Sequence, residues 1–160
     1  MFPSGVEEAE EGPAEAVALE NAHRKARKVA DQRPGDLVLG VDTVVALGDR
    51  LYGKPADRDQ AAATLRALAG RDHRVLSGIW LIDGERERRA TASTTVRFRP
   101  LDEAILSWYL DSGEWHERAG GYAIQGRGAL LVEAIHGDYL NVVGLPVKEL
   151  LQLEPGLLPV

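Results

Sequence analysis

The chain has 160 residues, a length that suits one domain able to fold around its own core without metal or disulfide staples. Hydrophobic residues make up 44% and charged residues 28%, which excludes wholesale disorder, and the lack of cysteine excludes disulfides, thiolate metal sites and cysteine nucleophiles. Nineteen Lys and Arg against 25 Asp and Glu give a net charge of −6, which argues against polymeric nucleic acid but not against a single nucleotide.

No apolar run approaches the roughly 20 residues of a membrane span, and no basic and apolar leader opens the sequence, so the expected location is the cytoplasm. Residues 1–11 read as an acidic loop, with Glu7, Glu8, Glu10 and Glu11 close together. Pro13 suits a helix start, and an alanine-rich amphipathic segment runs to about Asp31. Its apolar stripe is Ala14, Ala18, Ala22 and Val29, with Lys25 on the edge. A lysine there either snorkels to water or reaches into a cleft, and spacing alone favours snorkelling.

Pro34-Gly35 breaks the helix. Leu37 to Leu47, LVLGVDTVVAL, reads as a strand buried on both faces, interrupted by Asp42. A buried carboxylate costs several kcal/mol unless paired. Asp42 is therefore either a hydrogen-bonded residue at a bulge or a metal ligand or general base at a cleft wall. Residues 51–55 read as irregular. Asp57 and Gln60 predict the cap of a helix running to Ala69, and Gly70 stops it. Strands are expected over 73–82 and 88–98 around an Asp83-Gly84 turn, then a helix over 102–110. The glycines of 119–128 mark a close backbone approach or a mobile loop, 129–135 a last strand, and 147–153 a last helix. Mixed strands and helices of this kind predict an α/β or α+β domain.

The four histidines, His23, His73, His116 and His136, show no metal-ligand spacing. Walker, dinucleotide-binding and nucleophile-elbow patterns are absent. What remains is a set of oxygen donors (Glu7, Glu8, Asp42 and Asp138) with two lysines (Lys25 and Lys54). Oxygen donors suit Mg²⁺ or Mn²⁺ and lysines suit phosphate, so the set points to metal-assisted phosphate chemistry.

Several segments in order carry a more specific signal. They are SGVEE (4–8), Asn21 to Ala30 with Lys25-Ala26, GVDTVV (40–45), GKP (53–55), AGGYAIQG (119–126) and GDYLNVVGLP (137–146). Together they resemble the Maf family of nucleoside triphosphate pyrophosphatases over nearly the whole chain. The resemblance implies a single Maf-like domain over 1–160, α/β in class and similar to inosine triphosphate pyrophosphatases, with a central mixed sheet, flanking helices and a deep cleft. It implies a cytosolic hydrolase that cuts a nucleoside triphosphate between the α and β phosphates, needs a divalent cation and is commonly a homodimer. Asp42 matches the proton acceptor, and Glu8 an acidic residue of the cleft that with Asp42 would ligate the metal. Lys25 and Lys54 match lysines that approach the phosphates, while Thr43 and Gln125 match positions associated with base selection. Thr after the aspartate and Gln before the glycine resemble the subfamily acting on dTTP and UTP.

The family pattern begins with a strand ending in S-x-S-P-R-R, and this sequence has no such motif. The expectation is a domain without that strand and phosphate loop, either because the start was placed too late or because the chain is shortened and impaired. The competing reading is a non-catalytic nucleotide-binding or cell-division regulatory protein, since the family name is tied to septum inhibition. A two-carboxylate glycosidase is a third option, weakened by the ordered lysines.

Overall fold

The computed structural model describes residues 5–157; the part of the acidic opening loop that falls on Met1 to Ser4 lies outside them. Helix α1, Ala14–Gln32, starts behind Pro13 and buries Val17, Ala18, Asn21, Ala22 and Ala26. Strand β1 is Leu37–Leu47, and a Gly48-Asp49 turn returns the chain into β2, Arg50–Tyr52. Helix α2, Arg58–Leu68, is capped as expected, with the Asp57 carboxylate accepting from the Gln60 amide at 2.8 Å. Strands β3, Asp72–Asp83, and β4, Arg86–Phe98, form a long hairpin. Helix α3, Glu103–Asp111, is capped by Asp102. A 3₁₀ turn over Ala119–Gly121 and another over Arg127–Leu131 precede β5, Val132–His136. Helices α4, Tyr139–Val143, and α5, Val147–Leu153, follow.

The α/β class holds. Sheet order is β2-β1-β3-β4-β5. Every strand pair among the described residues is antiparallel, rather than mixed as the resemblance implied. Two of these pairs are hairpins closed by two-residue turns, a connection that permits only antiparallel neighbours. Leu51 and Tyr52, expected to be irregular, join Arg50 in β2 because that turn folds them onto Val45 to Leu47. The last strand begins at Val132, not Ala129, because side-chain bonds hold the preceding backbone in a 3₁₀ turn.

The main core lies on the face of the sheet away from α1. There Val45, Val75, Val96 and Phe98 meet Leu65 and Leu68 of α2 and Leu106 and Tyr109 of α3. On the other face α1 lies directly on the sheet because β1 and β3 present glycines. A Cβ on Gly40 would collide with the Ala22 carbonyl, and one on Gly78 would stand 2.5 Å from that of Ala18. β1 is not buried along both faces, for Leu37 and Leu39 are 44% and 37% exposed. Because β2 pairs only with residues 45–47, residues 37–44 of β1 have no strand on their outer side among the described residues. That notch in the sheet positions the site.

Candidate active site

Asp42 sits in the middle of β1, opposite Gly78 in register, on the face that α1 covers. It is 7% exposed. Two donors from one face of α1 compensate its desolvation. Lys25 Nζ donates to Oδ1 at 2.5 Å, and Asn21 Nδ2 donates to Oδ2 at 3.1 Å. Asn21 and Lys25 are four residues apart, so they stand one above the other on the helix, and the glycine seam lets both reach the strand. Lys25 therefore reaches into the cleft instead of snorkelling.

Asn21 also holds the segment before the helix. Its Oδ1 accepts from the Ala9 amide at 2.7 Å and its Nδ2 donates to the Ala9 carbonyl at 3.1 Å. That clamp sets the neighbouring Glu8 carboxylate 2.7 Å from Lys25 Nζ and 3.8 Å from Lys54 Nζ. Burial tends to raise the Glu8 pKa, but the Lys25 hydrogen bond and the two ammonium charges outweigh it and hold the carboxyl below its ordinary value. Burial likewise tends to lower the Lys25 pKa, and its bonds to Asp42 and Glu8 overcome this and raise it. Lys25 stays cationic well above neutral pH.

Two cavities meet along the notch, sharing Asp42, Thr43, Lys54 and Ala119. The larger, about 520 Å³, is lined on one side by Glu8, Asn21 and Tyr52. The second, about 270 Å³, is lined by Lys25, Arg118, Tyr122, Gln125, Val143 and Gly144. All six residues to which the family resemblance gives a role (Glu8, Lys25, Asp42, Thr43, Lys54 and Gln125) thus border the same cleft. Thr43 points to the face opposite Asp42, where its hydroxyl shares a 2.8 Å hydrogen bond with that of buried Ser77. Gln125 is exposed at the rim.

Two earlier oxygen candidates lie elsewhere. Asp138 caps α4, with Oδ1 accepting from the Leu140 amide at 2.9 Å, and it lines neither cavity. Glu7 is exposed, and only its carbonyl is engaged, by Arg24 at 3.2 Å. Sequence reasoning missed Asn21, whose signal was its place four residues before Lys25, inside the apolar stripe. It also missed Arg118, a guanidinium with no hydrogen-bond or ion-pair partner among the described residues, which lines the second cavity. Glu117, just before it, is the only described non-glycine residue with positive φ, at 56°.

Among the described residues, no group of three or more His, Asp or Glu side chains forms a protein cage for a metal. Two carboxylates converging on one ammonium, beside a cavity of phosphate-accommodating size, nevertheless fit Mg²⁺ or Mn²⁺. Such ions commonly use one or two carboxylates and complete their shell with water and substrate phosphate.

The chain is 47% identical over 143 residues to the dTTP/UTP pyrophosphatase of Symbiobacterium thermophilum, covering 89% of this chain and 73% of that protein. It is 41% identical over 156 residues to the dTTP/UTP pyrophosphatase of Pyrococcus furiosus, covering 96% and 82%. The protein of that name from Deinococcus radiodurans is 43% identical over 150 residues, covering 94% and 77%. The model of the Maf family, described as Maf-like protein, matches residues 1–154, and the chain belongs to that family.

Proposed function

We propose that this protein is a nucleoside triphosphate pyrophosphatase, with dTTP, UTP or modified pyrimidine nucleotides as substrates, releasing the monophosphate and pyrophosphate. The relatives' shared name supports the reaction and the base class. The observation that carries it to residues is the buried Asp42 held between Lys25 and Asn21 at the floor of a cleft.

Asp42 is assigned as the proton acceptor. Each of its oxygens accepts one bond from α1 and keeps a lone pair for a water in the cleft. That water's oxygen bonds to the α phosphorus while its proton passes to Asp42, and the bond from the α phosphorus to the oxygen bridging to the β phosphate breaks. Lys25, Lys54 and Arg118 line one cavity, and preplaced cations there would stabilise the growing charge of the departing pyrophosphate. Glu8 and Asp42 would hold the divalent ion. Such an ion would screen phosphate charge and lower the pKa of a bound water. Thr43 and Gln125 offer donors and acceptors to the O4/N3 edge of uracil or thymine, and a base leaving them unpaired is rejected. No helix of the described residues is long and apolar enough to cross a membrane. A cytoplasmic homodimer completes the proposal.

The test is incubation of the chain with UTP or dTTP and Mg²⁺ or Mn²⁺, with products separated by chromatography. Monophosphate and pyrophosphate are expected; a diphosphate and orthophosphate would refute the assigned cleavage. Asp42→Asn should lower turnover about a thousandfold or more, as expected for removal of a general base, with the far-ultraviolet circular dichroism unchanged. Binding without any product would return the protein to the class of nucleotide-binding regulators.

A further inference from the structure

We infer that Glu114 is a positioning residue for base selection, acting on Gln125 from outside the cleft; this rests on the reading of Gln125 given above. Glu114 follows α3 and lines neither cavity. Its carboxylate is turned onto the segment after Gln125, where Oε2 accepts from the Arg127 amide at 2.7 Å and from the Gly128 amide at 3.4 Å. The backbone of Gly126 lies directly on the same carboxylate, where a Cβ would stand 2.8 Å from its carboxyl carbon. On the near side of Gln125, the Ala123 amide donates to the Tyr109 hydroxyl at 3.2 Å. Gln125 is thus suspended between two anchors on the 109–114 stretch.

That stretch is itself tied down. Ser112 Oγ donates to the Tyr109 carbonyl at 2.5 Å and accepts from the Glu114 amide at 3.2 Å. The Gln125 side chain is exposed and makes no hydrogen bond within the described residues, so its aim at the cavity depends on where its backbone is held. A carboxylate gathering two successive amides is a charge-assisted clamp, stronger than a neutral one. Loss of the clamp frees the backbone at Gln125 while Asp42, Lys25 and Glu8, which belong to α1, β1 and residues 8–9, keep their own bonds. Discrimination between bases falls and chemistry continues.

The experiment compares Glu114→Ala and Glu114→Gln, each with and without Gln125→Ala, for kcat and KM on UTP, CTP and ATP. Glu114→Ala should raise KM for UTP about tenfold, the cost of roughly one lost charge-assisted bond, while kcat changes less than about threefold. Glu114→Gln, whose carbonyl still accepts, should recover most of this. In the Gln125→Ala background Glu114→Ala should add nothing to the loss of selectivity; an equal loss in both backgrounds would overturn the inference. Amide hydrogen exchange gives a readout independent of base reading. Arg127 and Gly128 should be protected in the unmodified chain and not in Glu114→Ala. Unprotected amides in the unmodified chain would overturn the inference too. If Gln125→Ala leaves selectivity unchanged, the base-reading role fails and the inference with it; protected Arg127 and Gly128 amides would then locate the fault in that reading and not in the clamp.

Discussion

Gly78 faces the Ala18 carbonyl so closely that a methyl group added at its Cα would stand 2.5 Å from that oxygen. The obstacle is helix backbone, which cannot rotate aside, so Gly78→Ala must lift α1 from the sheet. Overpacking of this kind costs about 1–3 kcal/mol. Gly78 is also the register partner of Asp42, so the displacement falls where Lys25 and Asn21 reach the strand. Turnover should drop about a hundredfold, as for an ångström of misplacement, with a lowered urea midpoint as the companion measurement.

Replacing Asn21 by Leu keeps its branched shape and removes both its roles. The Asp42 carboxylate loses a donor, and the Ala9 amide and carbonyl lose their partner. Stability should fall by about 2–3 kcal/mol in denaturant titration. Because Ala9 adjoins Glu8, the Lys25–Glu8 contact should also loosen, lowering turnover with UTP.

Arg118 offers a cation with no described acidic partner to the second cavity. Arg118→Ala should raise KM for a triphosphate about tenfold, the cost of roughly one charge-assisted hydrogen bond. It should also flatten the dependence of KM on ionic strength, because one charge–charge attraction has gone. Steady-state kinetics at low and high salt measure both, and an unchanged salt response would remove Arg118 from the phosphate site.

Stability should decline on mild acidification through His73. The imidazole is 2% exposed, and burial pushes its pKa down to about 4, against the smaller upward pulls of Asp72 and the Arg71 backbone. Between about pH 6.5 and 4 the unfolded chain takes up a proton that the folded one refuses, so acid favours unfolding by up to about 3 kcal/mol across that window. Glu8 adds to the trend lower down. Its depressed carboxyl stabilises the fold above pH 4.5, and this is lost as pH falls through the folded value. Denaturation midpoints across pH should show a shallower slope for His73→Gln than for the unmodified protein; an equal slope would acquit His73.

Helix α1 and strand β1 were legible because Pro13, Pro34-Gly35 and the valine run mark them locally, and the Asp57 cap marked α2 in the same way. Asp42 was legible as a costly carboxylate in an apolar strand. What covers it was not, for Asn21 reads as an ordinary helix polar residue until the glycine seam brings the helix onto the sheet. Strand β2, three residues without alternation, exists only through pairing with β1. The 3₁₀ turn at 127–131 is held by a carboxylate thirteen residues away, and local patterns carry no trace of such a bond.

Successive residues of a strand point to opposite sides, so Asp42 and Thr43 serve one cleft from two faces of a single sheet. Asp42, the proposed proton acceptor, answers to α1, whereas the neighbour assigned to reading the base answers to Ser77 on the far face. Substitutions around Ser77 on that far side should therefore shift base preference before they touch the bonds that α1 makes to Asp42.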